Sequence, residues 1–410
     1  MNTTEFTETY YIDRRGSHSR KWDGEYLKFS RTDLLPLWVA DMDFACAEPI
    51  LKALHERIDR KIFGYTMYDA DECMDAVTGW MKKRYGWEES RENLFFCPGV
   101  VAAYAALINL LTERGDGIVL QRPIYYPFTN KANSNGRIPV DNALIYENGA
   151  YRIDFEDLDK KMADPANKVL VVCSPHNPTG RVWEREEIEK AMEIYKANEC
   201  VVISDEIWSD LTLPGFKHIP TQSVSKDARE RTIALYAPSK TFNLAGLVGS
   251  YHIIYNRMLR DRVEKASSLS HYNSPNVLSV HALIGAYRPE GYQWVDELRE
   301  VLKSNADYAY NYILEHFKGV KLSKPEGTYM LYLDCEEWCK EHDTDMDTLL
   351  KAGVAVGVIW QDGRPFHRPY AIRLNLALPH VLVKEAFDRY LGDGKPCYIP
   401  KEGVTAKEAI

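Results

Sequence analysis

The sequence predicts an α/β protein with a mostly parallel central sheet covered by helices and a smaller α+β domain beside it. Three observations carry this. Continuous apolar runs at 117–120 (GIVL), 168–173 (KVLVVC), 200–204 and 232–236 (TIALY) are separated by helical periodicities. Strands that read as unbroken apolar runs are buried on both faces, and parallel sheets with crossover helices produce them. After about residue 290 the pattern changes to a long helix, 292–317, followed by short strands near 320–322, 330–333 and 371–376. Finally, 410 residues exceed what one hydrophobic core supports. The expected organisation is an N-terminal segment, 1–50, packing with the small domain; a large domain, 51–288; a small C-terminal domain, 289–391; and a polar extension, 392–410.

Each element has its own local warrant. In LPLWVADMDF (35–44) Asp41 and Asp43 alternate with apolar residues, as in an extended segment with one wet face. Residues 49–62 have helical periodicity, Pro49 suits a first helical turn, and Gly64 with Tyr65 marks the expected end. A second helix over 70–85 stops at Gly86. The strand 94–97 runs into Pro98-Gly99-Val100-Val101 and an apolar helix to residue 111. A glycine turn opening a buried helix leaves free N–H groups that attract an anion, although many buried helices begin so. The strand 117–120 ends in RPIYYP, 168–173 ends in SPHNPTG, and 200–204 ends in Asp205-Glu206. Residues 184–198 form an amphipathic helix with Ile188, Ala191, Met192 and Tyr195 on one side. In the C-terminal part, 353–359 reads as a helix and 381–391 as the last one. Right-handed crossovers put the polar strand ends on one edge of the sheet, where ligands of open α/β sheets bind.

Composition narrows the function classes. Hydrophobic residues are 45% and charged residues 27%, with a net charge of −9. That balance suits a soluble globular protein and argues against a nucleic-acid binder, which needs a basic face. The N-terminus has no apolar core of the kind a signal peptide requires, and the longest apolar stretch, 100–111, is too short to span a bilayer. Eight scattered cysteines then read as reduced thiols of a cytoplasmic protein. Cys335, Cys339 and His342 have metal-like spacing, but no second cluster accompanies them, and no metal is expected.

One lysine stands out. Lys240 follows the strand 232–236 through Pro238 and Ser239, and Phe242, Leu244, Ala245 and Leu247 come next. Apolar surroundings favour a neutral amine, the form a covalent-catalysis lysine needs. Asp205 reads as the end of a buried strand, where it is either a salt-bridge or N-cap residue or the partner of a bound cation. Asn177, before Pro178, fits an Asx turn as well as a ligand contact, and Tyr125 fits core packing as well as a stacking face. Arg373, inside the apolar AIRLNLAL, demands an anion. Together these supply an amine for an aldehyde, a carboxylate for a ring nitrogen, an aromatic face, a phosphate cradle and a carboxylate clamp. Pyridoxal 5′-phosphate makes each of those demands.

SPHNPTGRVW (174–183), SDEIWSDL (204–211), APSKTFNLAGL (237–247) and IRLNLALP (372–379) resemble the fold-type I pyridoxal-phosphate enzymes of the class I/II aminotransferase group. With LPLWVADMDF, PGVV and RPIYYPF they come closer still to its cystathionine β-lyase (C–S lyase) branch. The resemblance implies that Lys240 is the Schiff-base lysine, Asp205 the partner of the pyridinium nitrogen, Tyr125 the stacking ring and Asn177 the donor to the ring oxygen. It places the phosphate against Gly99, Val100 and Val101 with Ser239 nearby, and Trp208 at the cofactor edge. Tyr65 would reach the phosphate of a neighbouring subunit, implying a homodimer with shared sites. Arg373 with Asn177 would hold the substrate carboxylate, beside Tyr329 and the Val39-Ala40 backbone. Aminotransferases of the group carry an arginine eight residues after the lysine. Here that position is Val248, which favours the lyase branch. Trp208 stands where the lyases often have histidine. The implied activity is β-elimination from cystathionine- or cysteine-type amino acids, giving a thiol, pyruvate and ammonia. The alternatives are an aminotransferase and a regulator-binding protein with secondary lyase activity.

Overall fold

The computed structural model describes residues 1–270 and 274–391; the extension 392–410 lies outside the described residues. The strands are β1 (Leu35–Leu37), β2 (Leu94–Cys97), β3 (Gly117–Leu120), β4 (Ile138–Asp141), β5 (Ile145–Glu147), β6 (Ala150–Arg152), β7 (Asn167–Cys173), β8 (Val201–Asp205), β9 (Thr232–Tyr236), β10 (Ser250–Ile253), β11 (Lys321–Leu322), β12 (Met330–Asp334), β13 (Val358–Asp362) and β14 (Ala371–Asn375). Seven of them form the central sheet in the order β2-β10-β9-β8-β7-β3-β4. All neighbours are parallel except β10, which runs against both β9 and β2. The unbroken apolar runs follow from burial on both faces. Val169, Val171 and Cys173 join Ile203, Ile233 and Leu235 under the helix Val100–Leu111. The alternate residues Leu170, Val172 and Val202 pack on the other face against Ile188, Met192 and Tyr195 of the helix Arg185–Ala197.

A second sheet has the order β1-β13-β14-β12-β11. β1 lies parallel to β13, so the N-terminal segment completes a sheet whose other strands come from the end of the chain. The helix Pro289–His316 shares a core cluster with it through Leu298, Leu302 and Ile313. A buried ion pair fixes the segment after β1. The Lys21 Nζ donates to Asp43 Oδ2 at 2.9 Å, both side chains being fully buried, and the Trp22 Nε1 donates to Asp43 Oδ1 at 2.9 Å. Asn375 Nδ2 donates to the carbonyls of Val39 and Asp41 at 2.6 Å each, and Asn243 exchanges hydrogen bonds with both backbone groups of Met42. The chain around Ala40 is therefore held to both sheets.

Two local readings need correction. The helix expected over 49–62 is Glu48–Ile58, and no regular element follows until Asp71, because the backbone turns at Lys61 with φ +58°. Residues 353–359 do not form one helix. The helix Met346–Ala355 ends before Gly357, whose φ of +85° breaks it, and β13 begins at Val358. Asp43→Ala leaves the Lys21 ammonium buried without its carboxylate, and should destabilise the protein by about 3–5 kcal/mol. The measurement is the denaturant midpoint of the first unfolding transition; an unchanged midpoint would show that the pair does not anchor the segment.

Candidate active site

The carboxyl ends of β7, β8 and β9 lie level, with Cys173 beside Asp205 and Asp205 beside Leu235. The turns leaving those ends carry Asn177, Asp205 and, on the short helix Pro238–Thr241, Ser239 and Lys240. They border one cavity of about 300 Å³ together with Tyr125, Trp208, Ala40, Gly99, Val100 and Val101. These polar strand ends share one edge of the sheet, and the cavity opens there.

The Lys240 Nζ donates to the Ala40 carbonyl at 2.9 Å, and the Tyr329 hydroxyl donates to the same oxygen at 3.0 Å. The amine also lies 5.6 Å from the centre of the Trp208 ring. Burial, reinforced by the charge of Arg373, lowers its pKa to about 8. The apolar residues that follow it in sequence are not what surrounds it. Phe242 stacks on Trp294 within the core and Leu244 joins the same cluster, leaving Ala245 as the one of the four to border the cavity. Trp208 and the 39–41 segment desolvate the amine instead.

Two consecutive carboxylates are pushed in opposite directions. Asp205 is buried and accepts from the Ile207 N–H at 3.2 Å; burial raises its pKa to about 7, with Lys240 opposing. Glu206 points the other way. It accepts from His218 at 2.6 Å, the Tyr236 hydroxyl at 2.5 Å, the Ser204 hydroxyl at 2.9 Å and the Thr221 N–H at 3.0 Å, and its pKa is lowered against its own burial. A saturated carboxylate stays ionised, whereas one short of donors holds its proton.

Arg373 is 3% exposed and pairs with no carboxylate among the described residues. One Nη donates to Asn177 Oδ1 at 3.2 Å and the other to the Trp38 carbonyl at 3.1 Å; the Phe366 ring lies 4.9 Å away, and Nε has no partner. Burial pulls its pKa down. A guanidinium held this way retains its full appetite for an anion. At the other end of the cavity the helix Val100–Leu111 starts without a side-chain cap. The N–H of Gly99, at φ +92°, already donates to Ser250 Oγ at 2.9 Å, so the uncapped first turn offers Val100 and Val101 rather than Gly99.

Tyr65 does not join this cluster. It is fully exposed on the irregular segment between the helices Glu48–Ile58 and Asp71–Tyr85, beside the exposed Ile62, Phe63 and Met67. Val39 does not border the cavity either; its carbonyl is taken by Asn375. Sequence reasoning missed Phe366 beneath Arg373 and Asp41, whose charge helps keep Lys240 protonated. Asp41 has no local signal, lying far along the chain from Lys240, and Phe366, seven residues before Arg373, is brought beneath the guanidinium only by the turn between β13 and β14. Val248, noted only as a departure from a family pattern, borders the cavity at φ +54°, unusual for a β-branched residue. No group of residues suited to a metal ion occurs among the described residues. His342, which has metal-like spacing with Cys335 and Cys339, stacks on Trp338. No helix among the described residues is long and apolar enough to cross a membrane.

The sequence model of the family "Aminotransferase class I and II" matches residues 32–389. A cystathionine beta-lyase of Bacillus subtilis, PatB, is 40% identical over 344 residues, 84% of this chain and 88% of that protein. Among solved structures, cystalysin from Treponema denticola, which contains a pyridoxal 5′-phosphate cofactor, superposes with a TM-score of 0.88 at 31% identity, covering 94% of this chain and 97% of its own. The pyridoxal-phosphate-bound C–S lyase from Staphylococcus hominis superposes with a TM-score of 0.85 at 34% identity, covering 92% of this chain and 95% of its own.

Asp205 makes stability depend on pH in a defined direction. Its ordinary pKa of 3.8 is raised to about 7 in the fold, so between those values the folded form binds more protons and stability falls as pH rises. Asp205→Asn removes that component. In cofactor-free protein the unfolding midpoint of the variant should decline less between those two pH values than the parent's, and parallel profiles would show that Asp205 ionises normally.

Proposed function

The chain belongs to the class I and II aminotransferase family, and from that premise we propose that it is a pyridoxal-5′-phosphate-dependent carbon–sulfur lyase. The observation that carries the reading is a single cavity bordered by an amine of lowered pKa and a buried carboxyl short of donors, with an unneutralised guanidinium adjoining it through Asn177. The residues fit the cofactor. Lys240 would be the amine for its aldehyde, Asp205 would partner its ring nitrogen, Tyr125 its ring and Asn177 its ring oxygen. Val100, Val101 and Ser239 would receive its phosphate, and Trp208 would wall its edge. When bound, the cofactor supplies an aldehyde that captures the amino group and a protonated ring that draws electron density from Cα.

The protein's own groups do the rest. Arg373, fixed by Asn177, takes the substrate α-carboxylate and so turns the Cα–H bond towards Lys240. The Lys240 Nζ, with a pKa of about 8, is neutral often enough near neutral pH to take that proton. Asp205 holds a proton at the ring nitrogen, its carboxylate form being favoured once a cation faces it. Tyr329 and Trp208, in edge contact with centroids 4.7 Å apart, exclude water from the reacting carbon. With a sulfur substituent on Cβ, loss of the Cα proton expels a thiolate, and uptake of water then yields pyruvate and ammonia. The choice of elimination over amino transfer is supported by the names of the relatives at 40% and 34% identity. It is also supported by Val248, standing where transaminases of the group carry arginine. We further propose that the protein acts as a homodimer in which Tyr65, exposed with its apolar neighbours here, serves the site of the adjoining subunit.

Purified holoenzyme given L-cystathionine should release pyruvate without an added 2-oxo acid. Strict dependence on a 2-oxo acid would make it a transaminase, and no turnover with cofactor bound would leave a binding role. Lys240→Ala should lose the visible absorption of the lysine-bound cofactor and slow pyruvate release by at least about 10³-fold. Arg373→Lys keeps the charge but loses the fork; KM for the amino acid should rise about 10- to 100-fold with a smaller change in kcat. An unchanged KM would place the substrate carboxylate elsewhere.

A further inference from the structure

Behind the proposed active site lies a second cavity, of about 380 Å³, between the end of the helix Asp71–Tyr85, the loop that holds Lys217 and His218, and the helix Pro289–His316. Four cationic side chains border it: Lys83, Arg84, Lys217 and Arg299. The arginines are largely buried, their side chains 11% and 20% exposed. Only two acids border it. Asp210 is already committed, accepting from the Trp80 Nε1 at 3.0 Å, the Tyr85 hydroxyl at 2.5 Å and the Thr241 hydroxyl at 2.9 Å, and lying 3.7 Å from the Arg84 Nε. Asp296, mostly exposed, is shared between Arg84 at 2.7 Å and Arg299 at 3.3 Å. Lys83 and Lys217 make no ion pair among the described residues. Burial pulls the Arg299 pKa down, with Arg84 reinforcing the shift and Asp296 and Asp210 opposing it.

A separate observation comes from His218, which borders the same cavity and is 3% exposed. Its Nε2 is bonded to Glu206 at 2.6 Å, while Nδ1 is buried with no partner. A buried ring nitrogen without a partner is costly unless something completes it. We propose that this cavity is a binding site for a small oxyanion-bearing metabolite, distinct from the amino-acid substrate. Arg84, Arg299, Lys83 and Lys217 receive the anion, and the unpartnered His218 Nδ1 bonds to the ligand as acceptor from a hydroxyl or, when the ring is protonated, as donor. The rings of Tyr85, Phe216 and Tyr292 flank the body of the ligand. Its inner wall adjoins the catalytic groups. Thr241, held by Asp210, follows Lys240, and Glu206, held by His218, follows Asp205.

The test is calorimetric titration of the holoenzyme with inorganic phosphate and, separately, with malonate, each at constant ionic strength against sodium chloride. Saturable binding of either anion is expected. Phosphate alone would indicate a phosphoryl ligand and malonate alone a dicarboxylate. The affinity should fall about threefold in Lys217→Gln, an exposed residue whose loss leaves the fold intact, and at least about tenfold in Arg299→Gln. Absence of saturable heat for both anions would overturn the proposal. So would equal affinity in the parent and in Lys217→Gln and Arg299→Gln, because phosphate would then be binding elsewhere. Neither readout depends on turnover.

Discussion

A buried charge must find a partner or give up its charge, and the arrangement of this protein follows from that constraint. Glu206 is matched by four donors and stays ionised inside the core, whereas its neighbour Asp205 receives one backbone N–H and holds its proton to about pH 7. Strand alternation separates them, since adjacent residues at a strand end point to opposite sides. One side faces a closed polar cluster and the other a cavity. The same backbone position thus supplies a structural carboxylate and a reactive one. Arg373 obeys the rule from the other sign. Held by amide and carbonyl oxygens alone, it is oriented without being neutralised, which is what a clamp for an incoming carboxylate requires.

The amine of Lys240 depends on a more distant construction. Its hydrogen-bond partner, the Ala40 carbonyl, belongs to a segment tied down by Lys21, Trp22 and Asp43 on one side and by Asn243 and Asn375 on the other. That segment leaves β1, which is paired in the second sheet, and reaches the edge of the first. Tyr329 donates to the same carbonyl from the turn before β12. The amine is therefore positioned jointly by the two sheets, and a relative movement between them would be transmitted directly to it.

Much of this was legible in the residues. Apolar runs located the central parallel strands β3, β7, β8 and β9 almost to the residue, since burial on both faces leaves little choice of side chain, whereas the more exposed β4 left no such run. Polar residues at their ends marked the reactive edge. Less legible was anything decided by approach from afar. The residues after Lys240 suggested an apolar collar, yet Phe242 turns into the core because Trp294, from the long C-terminal helix, stacks on it. The helix over 49–62 looked longer than it is, because periodicity persisted past the turn at Lys61. Phe366 and Asp41 gave no local sign of their proximity to Arg373 and Lys240.

By itself, the sequence determined the central strands of the main sheet, which edge of that sheet carries the polar turns, and which residue types meet there. These depend on side chains within a few positions of one another, whose periodicity a single chain records. The tertiary structure decided the protonation state of each group and what each is free to bind. Those properties depend on dielectric and hydrogen-bond partners, supplied by residues far apart in the chain. The bond from Lys240 to Ala40 spans 200 positions, and that from Arg373 to Asn177 spans 196.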